Sequence, residues 1–192
     1  MRCIFCKEKS DTSKSIEHVI PESLGNVDHF LPQGIVCDKC NNYFSRKVEA
    51  PLLNSQFFRY LRSRQFIKSK KGNIPPIKGI IPGIPAAADA WILGKEISFS
   101  GKDEKSTKEI EKYISRIKEG KFLFPIAQRP CSKLMSRFLA KIAIEALTQK
   151  LMHLPNWEDA VIDKPDLDPI REYARRGQKP GNWIYHQRNI YK

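Results

Sequence analysis

The sequence predicts an α+β protein, with a small metal-stapled module at the N-terminus and a basic region of mixed helices and strands behind it. Three observations carry this expectation. Two cysteine pairs, Cys3-x-x-Cys6 and Cys37-x-x-Cys40, frame the start of the chain. A stretch rich in proline and glycine, residues 68–90, interrupts it. Beyond that stretch, short apolar runs on either side of Gly94 have strand character, and apolar residues recur at helical spacing from Ser132 to about Met152.

Residues 1–10 read as a knuckle around the first cysteine pair. Strands are expected around residues 15–20 and 34–36, with Gly25-Asn26 turning between them. After Cys40 a short helix should run through Phe44 and Val48 until Pro51 stops it. A second helix is expected from Leu52 to about Ile67, where Leu53, Phe57, Tyr60 and Leu61 fall at helical spacing and Arg59, Arg62 and Arg64 decorate the surface. Residues 1–67 therefore make the first domain. Residues 68–90, with Lys68-Ser-Lys-Lys-Gly and then Pro75, Pro76, Pro82 and Pro85, read as a linker or arm. Residues 91–192 make a basic α+β accessory domain.

In that last part, strands are expected at residues 91–93, 97–99 and 121–126. Ser106-x-x-Glu109 has the form of a capping box opening a helix that Gly120 closes. The long helix from Ser132 carries an apolar stripe of Met135, Phe138, Leu139, Ile142, Ala143, Ala146 and Leu147. Lys133, Arg137 and Lys141 lie four residues apart on it, forming a basic ridge that either tracks phosphates or is a solvated face. Asp168-Pro169 should start a helix that ends at Gly177 and carries Arg171, Arg175 and Arg176. The tail from Asn182 to Tyr191 alternates like a strand, interleaving Trp183, Tyr185 and Tyr191 with His186 and Arg188. Cys131 is expected to be a buried thiol.

The net charge of +13 is uneven. Residues 1–60 hold eight Lys/Arg against seven Asp/Glu, and residues 61–192 hold 26 against 14. A surface this basic commonly marks a polyanion partner, and binding by phosphate neutralisation is salt-dependent. No apolar run is long enough to span a membrane. The start of the chain has no signal-peptide pattern, so the expected compartment is the cytoplasm, where paired cysteines are metal sites rather than disulfides. There is no Walker-type phosphate loop, no dinucleotide fingerprint and no internal repeat.

Four thiolates in two CxxC pairs supply what a closed tetrahedral Zn2+ site needs. Closing them on one ion would bring the segment Glu17-His18, which lies inside the loop, near Asn41, which follows Cys40 directly. An imidazole titrates near neutrality and can take a proton from water. A Mg2+ or Mn2+ ion prefers oxygen ligands, so a Glu17 carboxylate and an Asn41 amide oxygen are a plausible pair, whereas thiolates suit zinc. Each residue also has a plainer reading: His18 as a packed strand residue, Glu17 as a surface carboxylate, Asn41 as a helix cap. His29 lies in an expected loop, exposed or as an alternative ligand.

The segment CIFCKEKSDTSKSIEHVIPESLGN…LPQGIVCDKCNNYFSRKVEAPL resembles the HNH endonuclease family, in particular its zinc-stapled subgroup with an acid-His-x-x-Pro core and a final CxxCN. The resemblance covers roughly residues 1–55. It implies a ββα-metal fold, a structural zinc on Cys3, Cys6, Cys37 and Cys40, His18 as general base, and Glu17 and Asn41 as ligands of a catalytic Mg2+ or Mn2+. It implies DNA as substrate, with RNA the lesser alternative, and settings such as defence or mobile elements. A single site per chain would nick, and cutting both strands would suggest a homodimer. The family's middle asparagine falls here at Pro32, with Gln33 beside it, and Asn26 lies too far upstream. The second nitrogen of the His18 ring needs only an acceptor, which a backbone carbonyl could supply. The tentative nucleic-acid contacts are Arg59, Arg62, Lys133, Arg137 and Lys141. The competing functions are a non-catalytic zinc-dependent nucleic-acid-binding protein and a zinc-stabilised protein adaptor.

Overall fold

A computed structural model of the chain describes residues 1–69, 72–85, 87–93, 96–126, 128–181 and 183–186, with Leu93 described by its backbone alone. Contacts divide the chain into two compact units, Met1–Leu53 together with the chain from Arg129 onward, and Asn54–Gln128. The division falls elsewhere than the expected boundaries at residues 67 and 90. The α+β class holds for both units.

In the first unit, β1 (Glu17–His18) pairs antiparallel with β2 (Phe30–Leu31), Glu17 opposite Leu31 and His18 opposite Phe30. The second strand thus lies upstream of the expected residues 34–36. Gly34 explains the shift: its φ of +89° belongs to a turn, and Ser10 Oγ donates to its carbonyl at 2.5 Å. Between the strands, Glu22–Leu24 form a 3-10 turn closed by Gly25 in the left-handed conformation.

Helix α1 (Asp38–Phe44) runs through a π-helical turn, Ser45–Glu49, into α2 (Ala50–Leu53). Pro51 therefore does not stop the helix. It lacks the N–H that an unbroken α-helix would use, and the widened turn just before it is where the helix absorbs that missing donor. Phe5 and Phe44 meet with ring centroids 4.5 Å apart, in a core that includes Ile4, Leu31, Val48 and Leu52.

The C-terminal helices belong to this same unit. Helix α5 (Ser132–Leu151) packs against α6 (Trp157–Val161) and α7 (Asp168–Arg176), and also touches β2 and the π turn. Its extent is as expected, but its buried face is not. Met135 and Phe138 are buried with Ser136, Ala140, Lys141, Ile144, Glu145 and Thr148, while Leu139, Ala143 and Ala146 face solvent. The apolar stripe was a poor guide because the buried face carries its own polar pairing. Cys131, at the start of α5, is exposed rather than buried.

Helix α7 ends at Gly177 as expected, with φ of +63°. Arg137 lies so close that a β-carbon on Gly177 would sit 2.6 Å from its Cδ, so glycine serves both conformation and packing here. Arg171, on α7 as expected, is buried. Its guanidinium donates to the carbonyl of Ile4 at 2.6 Å, to the carbonyl of Val161 and to Asp168. Arg2 with Asp163 at 2.5 Å and Lys7 with Asp168 at 2.7 Å add exposed links between the knuckle and the C-terminal helices. Residues 183–186 form no strand, and Asn182, Arg188 and Tyr191 lie outside the described residues.

In the second unit, β3 (Ile77–Ile80), β4 (Ala87–Leu93) and β5 (Glu96–Ser100) form an antiparallel sheet in that order. The expected hairpin at 91–99 is present, its Gly94 lying outside the described residues. The expected linker contributes β3 and half of β4, because its prolines flank β3 instead of interrupting it. Lys70 and Lys71 are likewise outside the described residues. Helix α3 (Gln56–Arg64) touches β3 and β4. Helix α4 (Glu104–Ile114) lies on β5, and Ile81, Ala88 and Ile110 form the core between sheet and helix. The capping box is Asp103 with Ser106, not Ser106 with Glu109, and α4 ends before Gly120. Residues 121–126 make only a bridge between Leu123 and Ile80, with Pro125 close behind.

Arg171 is the sharpest test of how the first unit holds together. Arg171→Ala leaves two buried carbonyls without a donor and should lower unfolding free energy by about 2–5 kcal/mol, read from urea denaturation.

Candidate functional site

The two CxxC pairs meet. One sulfur from each of Cys3, Cys6, Cys37 and Cys40 lies within 4.8 Å of all the others, and Cys6 Sγ and Cys37 Sγ are 3.6 Å apart. Tetrahedral Zn2+ with Zn–S bonds of about 2.3 Å sets its sulfurs about 3.8 Å apart, so these four residues could bind zinc. They are the compact metal-ligand group among the described residues. Backbone amides prepare the cluster: Cys37 N donates to Cys3 Sγ at 3.3 Å and Cys40 N to Cys37 Sγ at 3.4 Å. A hydrogen bond from Cys40 holds the Cys3 thiol down at about 4, against the effect of its burial. Burial pushes Cys6 up to about 11, and Cys40 is raised by its bond to Cys3 and then by burial. One thiolate is thus preformed, and metal uptake must displace protons from others.

Cys37 is also the N-cap of α1, its sulfur accepting from Cys40. The helix therefore starts at Asp38, and Asn41 sits in its interior instead of capping it. Asn41 is half-buried, one turn beyond Asp38 on the same helix face. The Asp38 carboxylate accepts from the backbone of Ser15 at 2.9 Å and Lys14 at 3.1 Å, and from Ser15 Oγ at 2.5 Å. These bonds, the Ser15 hydroxyl's first, hold its carboxyl below the usual carboxylate range. The start of α1 is in this way tied to the residues that lead into β1.

A second tie lies farther along the same helical run. Lys141 on α5 is wholly buried, and its Nζ lies 2.7 Å from Glu17 Oε1, 2.8 Å from Glu49 Oε1 and 2.9 Å from Glu145 Oε2. The carbonyl of His18 is 3.5 Å from the same nitrogen. Burial works against the charged ammonium, but Glu145, Glu17 and Glu49 outweigh it and raise the Lys141 pKa. Burial raises the Glu145 pKa well above the ordinary range, with the Glu17 and Glu49 charges adding to it and Lys141 opposing. Asn41 thus lies along a helical run that is tied to the β1 segment on both sides of it, by Asp38 before and by Glu49 through Lys141 after.

Glu17, expected as a surface carboxylate or a ligand, is buried. An ionised carboxylate has room for about four partners, so a bond to Lys141 and coordination of a hard cation are compatible. His18 is half-buried on β1, and its Nδ1 is buried with no hydrogen-bond partner among the described residues. The carbonyl partner expected for this ring is therefore not found at Nδ1. Gln33 donates instead to Lys14 O at 2.9 Å.

Asn26 was passed over in the sequence and proves to organise the hairpin. Its Nδ2 donates to the carbonyls of Ile20 at 2.6 Å and His29 at 2.8 Å, and its Oδ1 accepts from His29 N at 2.9 Å. The Gly25-Asn26 turn signal was the one hint available. His29 lies exposed, with Nδ1 3.3 Å from Gln149 Oε1.

The expected nucleic-acid contacts scatter. Arg59 is half-buried and lines a cavity of about 260 Å3 with Tyr60 and Lys78, while Arg62 is buried. The basic ridge on α5 does not form: Lys133 is exposed, and Lys141 is interior. Arg137 spends its guanidinium on the carbonyls of Ala174 and Arg175 and on Tyr43 Oη at 2.8 Å. A period-four pattern of cations does not distinguish a wet face from one paired with buried carboxylates and helix ends.

Residues 3–57 match the HNH endonuclease family, and the N-terminal segment is an HNH domain with a four-cysteine cluster. No curated protein matches the chain, and no solved structure does.

Because bound metal needs thiolates, metal retention should weaken as pH falls, the protonated state of Cys6 and Cys40 competing with the ion. The expected result is one zinc per chain at pH 7.5 by elemental analysis, with loss to a chelator accelerating steadily towards pH 5. Cys37→Ser should abolish zinc retention at both values.

Proposed function

We propose, on the premise that residues 3–57 are an HNH domain, that the protein is a metal-dependent endonuclease hydrolysing DNA phosphodiester bonds. The observation that supports this reading is the double tie between the β1 segment and the α1 helical run, Asp38 accepting from Lys14 and Ser15 and Lys141 lying against both Glu17 and Glu49. The unit of residues 54–128 supports a polyanion substrate, with 15 Lys/Arg against seven Asp/Glu.

In this reading His18 takes the proton of the attacking water at its imidazole, a contribution of roughly a hundred- to ten-thousand-fold in rate. Glu17 and Asn41 hold Mg2+ or Mn2+ through hard oxygen donors, the ligand type such ions select. When bound, the ion supplies Lewis-acid stabilisation of charge on the leaving oxygen. The four cysteines hold zinc as a structural ion and take no part in the chemistry. Burial of Glu17 and its 2.7 Å contact with Lys141 restrict the orientation of its carboxylate.

The experiment is cleavage of supercoiled plasmid at low salt with Mg2+, Mn2+ or EDTA. Wild-type protein should nick in the presence of either ion and stop in EDTA. His18→Ala should lower the rate by about a hundred- to ten-thousand-fold with zinc content unchanged. DNA binding without cleavage by both proteins would instead identify a zinc-stapled nucleic-acid-binding protein.

A further inference from the structure

The buried lysine of α5 is a costly way to tie a fold together. Lys141, Glu17 and Glu145 withdrawn from water, with Glu49 partly exposed beside them, carry a large desolvation cost, and apolar residues of similar volume commonly serve as well or better. Lys141 and Glu145 are both fully buried, so neither can reach substrate. The cluster is nevertheless centred on the two residues of the candidate site. Lys141 Nζ is 2.7 Å from Glu17 Oε1 and 3.5 Å from the carbonyl of His18. Its remaining partners come from two other places, Glu145 one turn along α5 and Glu49 at the end of the π turn. Wide turns of this kind are frequent at functional sites, and here the wide turn ends on a residue that grips the same ammonium.

We propose that Lys141 is a positioning residue of the site, fixing the Glu17 carboxylate and the backbone of His18 in the orientation that binds the divalent ion. This rests on the reading of Glu17 as a ligand of that ion. Glu145 and Glu49 hold the ammonium from two sides, so it has three anchored partners and little freedom to turn. Glu17 accepts from it through Oε1 at 2.7 Å, which restricts the orientations its carboxylate can offer to an ion. Partners that orient a metal ligand in this way typically change metal affinity or activity by about 10–100-fold when removed. The residue lies far from the N-terminal segment in sequence, so the proposal makes helix α5 part of the working site and not an appendage to it.

The test is Mn2+ binding to the zinc-loaded full chain, followed by the electron paramagnetic resonance of the free ion. Wild type, Glu17→Ala, Lys141→Met and the pair Lys141→Met with Glu145→Met are compared. The pair removes a lysine and a carboxylate together and so avoids leaving Glu145 charged and unpaired, which keeps the question open to measurement if the single variant fails to fold. Zinc content and thermal melting establish folding. The expected result is loss of the bound Mn2+ in Glu17→Ala and a dissociation constant raised about 10–100-fold in the Lys141 variants, with saturating Mn2+ restoring plasmid nicking. Wild-type affinity in a folded Lys141 variant, with Glu17→Ala defective, would overturn this proposal alone. No Mn2+ bound by wild type, or equal binding by Glu17→Ala, would overturn the reading of Glu17 and this proposal with it.

Discussion

Four thiols from two cysteine pairs far apart in sequence have to meet before the rest of the N-terminal unit has a shape. The loop between Cys6 and Cys37 contains two strands of two residues each, too short to hold their own register. What fixes them is external. The cysteine cluster fixes the loop ends, Asn26 closes the turn between the strands, and Asp38 ties Lys14 and Ser15 to the start of α1. Because Cys37 is both a cluster member and the cap of α1, a metal held by the four cysteines would also fix the start of that helix. Asn41, one residue beyond the last cysteine, then inherits its position from the cluster and from that helix.

The second constraint comes from the C-terminal helices. Arg171 reaches the carbonyl of Ile4 within the knuckle, and Lys141 reaches Glu17 and Glu49. These contacts carry information from one end of the sequence to the other, and both use a buried cation on a helix. A buried cation tolerates few alternative arrangements, since each misplacement leaves an unpaired charge. Lys141, one of the charges expected to face nucleic acid, is therefore spent inside the unit. The stronger excess of positive residues lies in residues 54–128, where Lys/Arg outnumber Asp/Glu about two to one.

Much of this could be read from the residues alone. CxxC spacing announces a metal cluster because few other arrangements use cysteine that way, and Glu17-His18 and Asn41 stood out by their place relative to it. The extents of α5 and α7 followed from helical spacing and from Gly177. What could not be read has physical causes. Gly34 needs a turn, which moved β2 upstream. The π turn let the helix run past Pro51. Prolines at strand ends concealed β3 in a stretch that looked unstructured. Lys141 and Arg137 read as an outward basic ridge because partners more than ninety residues away, Glu17 and Tyr43, leave no mark on local sequence.

The central claim is that Glu17 and Asn41 hold one hard divalent ion beside His18. Anomalous diffraction at the manganese edge, from crystals of the zinc-loaded chain grown with Mn2+, tests it most directly. The account predicts a manganese peak coordinated by a Glu17 carboxylate oxygen and the Asn41 amide oxygen, separate from the zinc on the four cysteines. Manganese bound elsewhere, or a Glu17 carboxylate engaged by Lys141 with no ion near it at saturating Mn2+, would contradict the account.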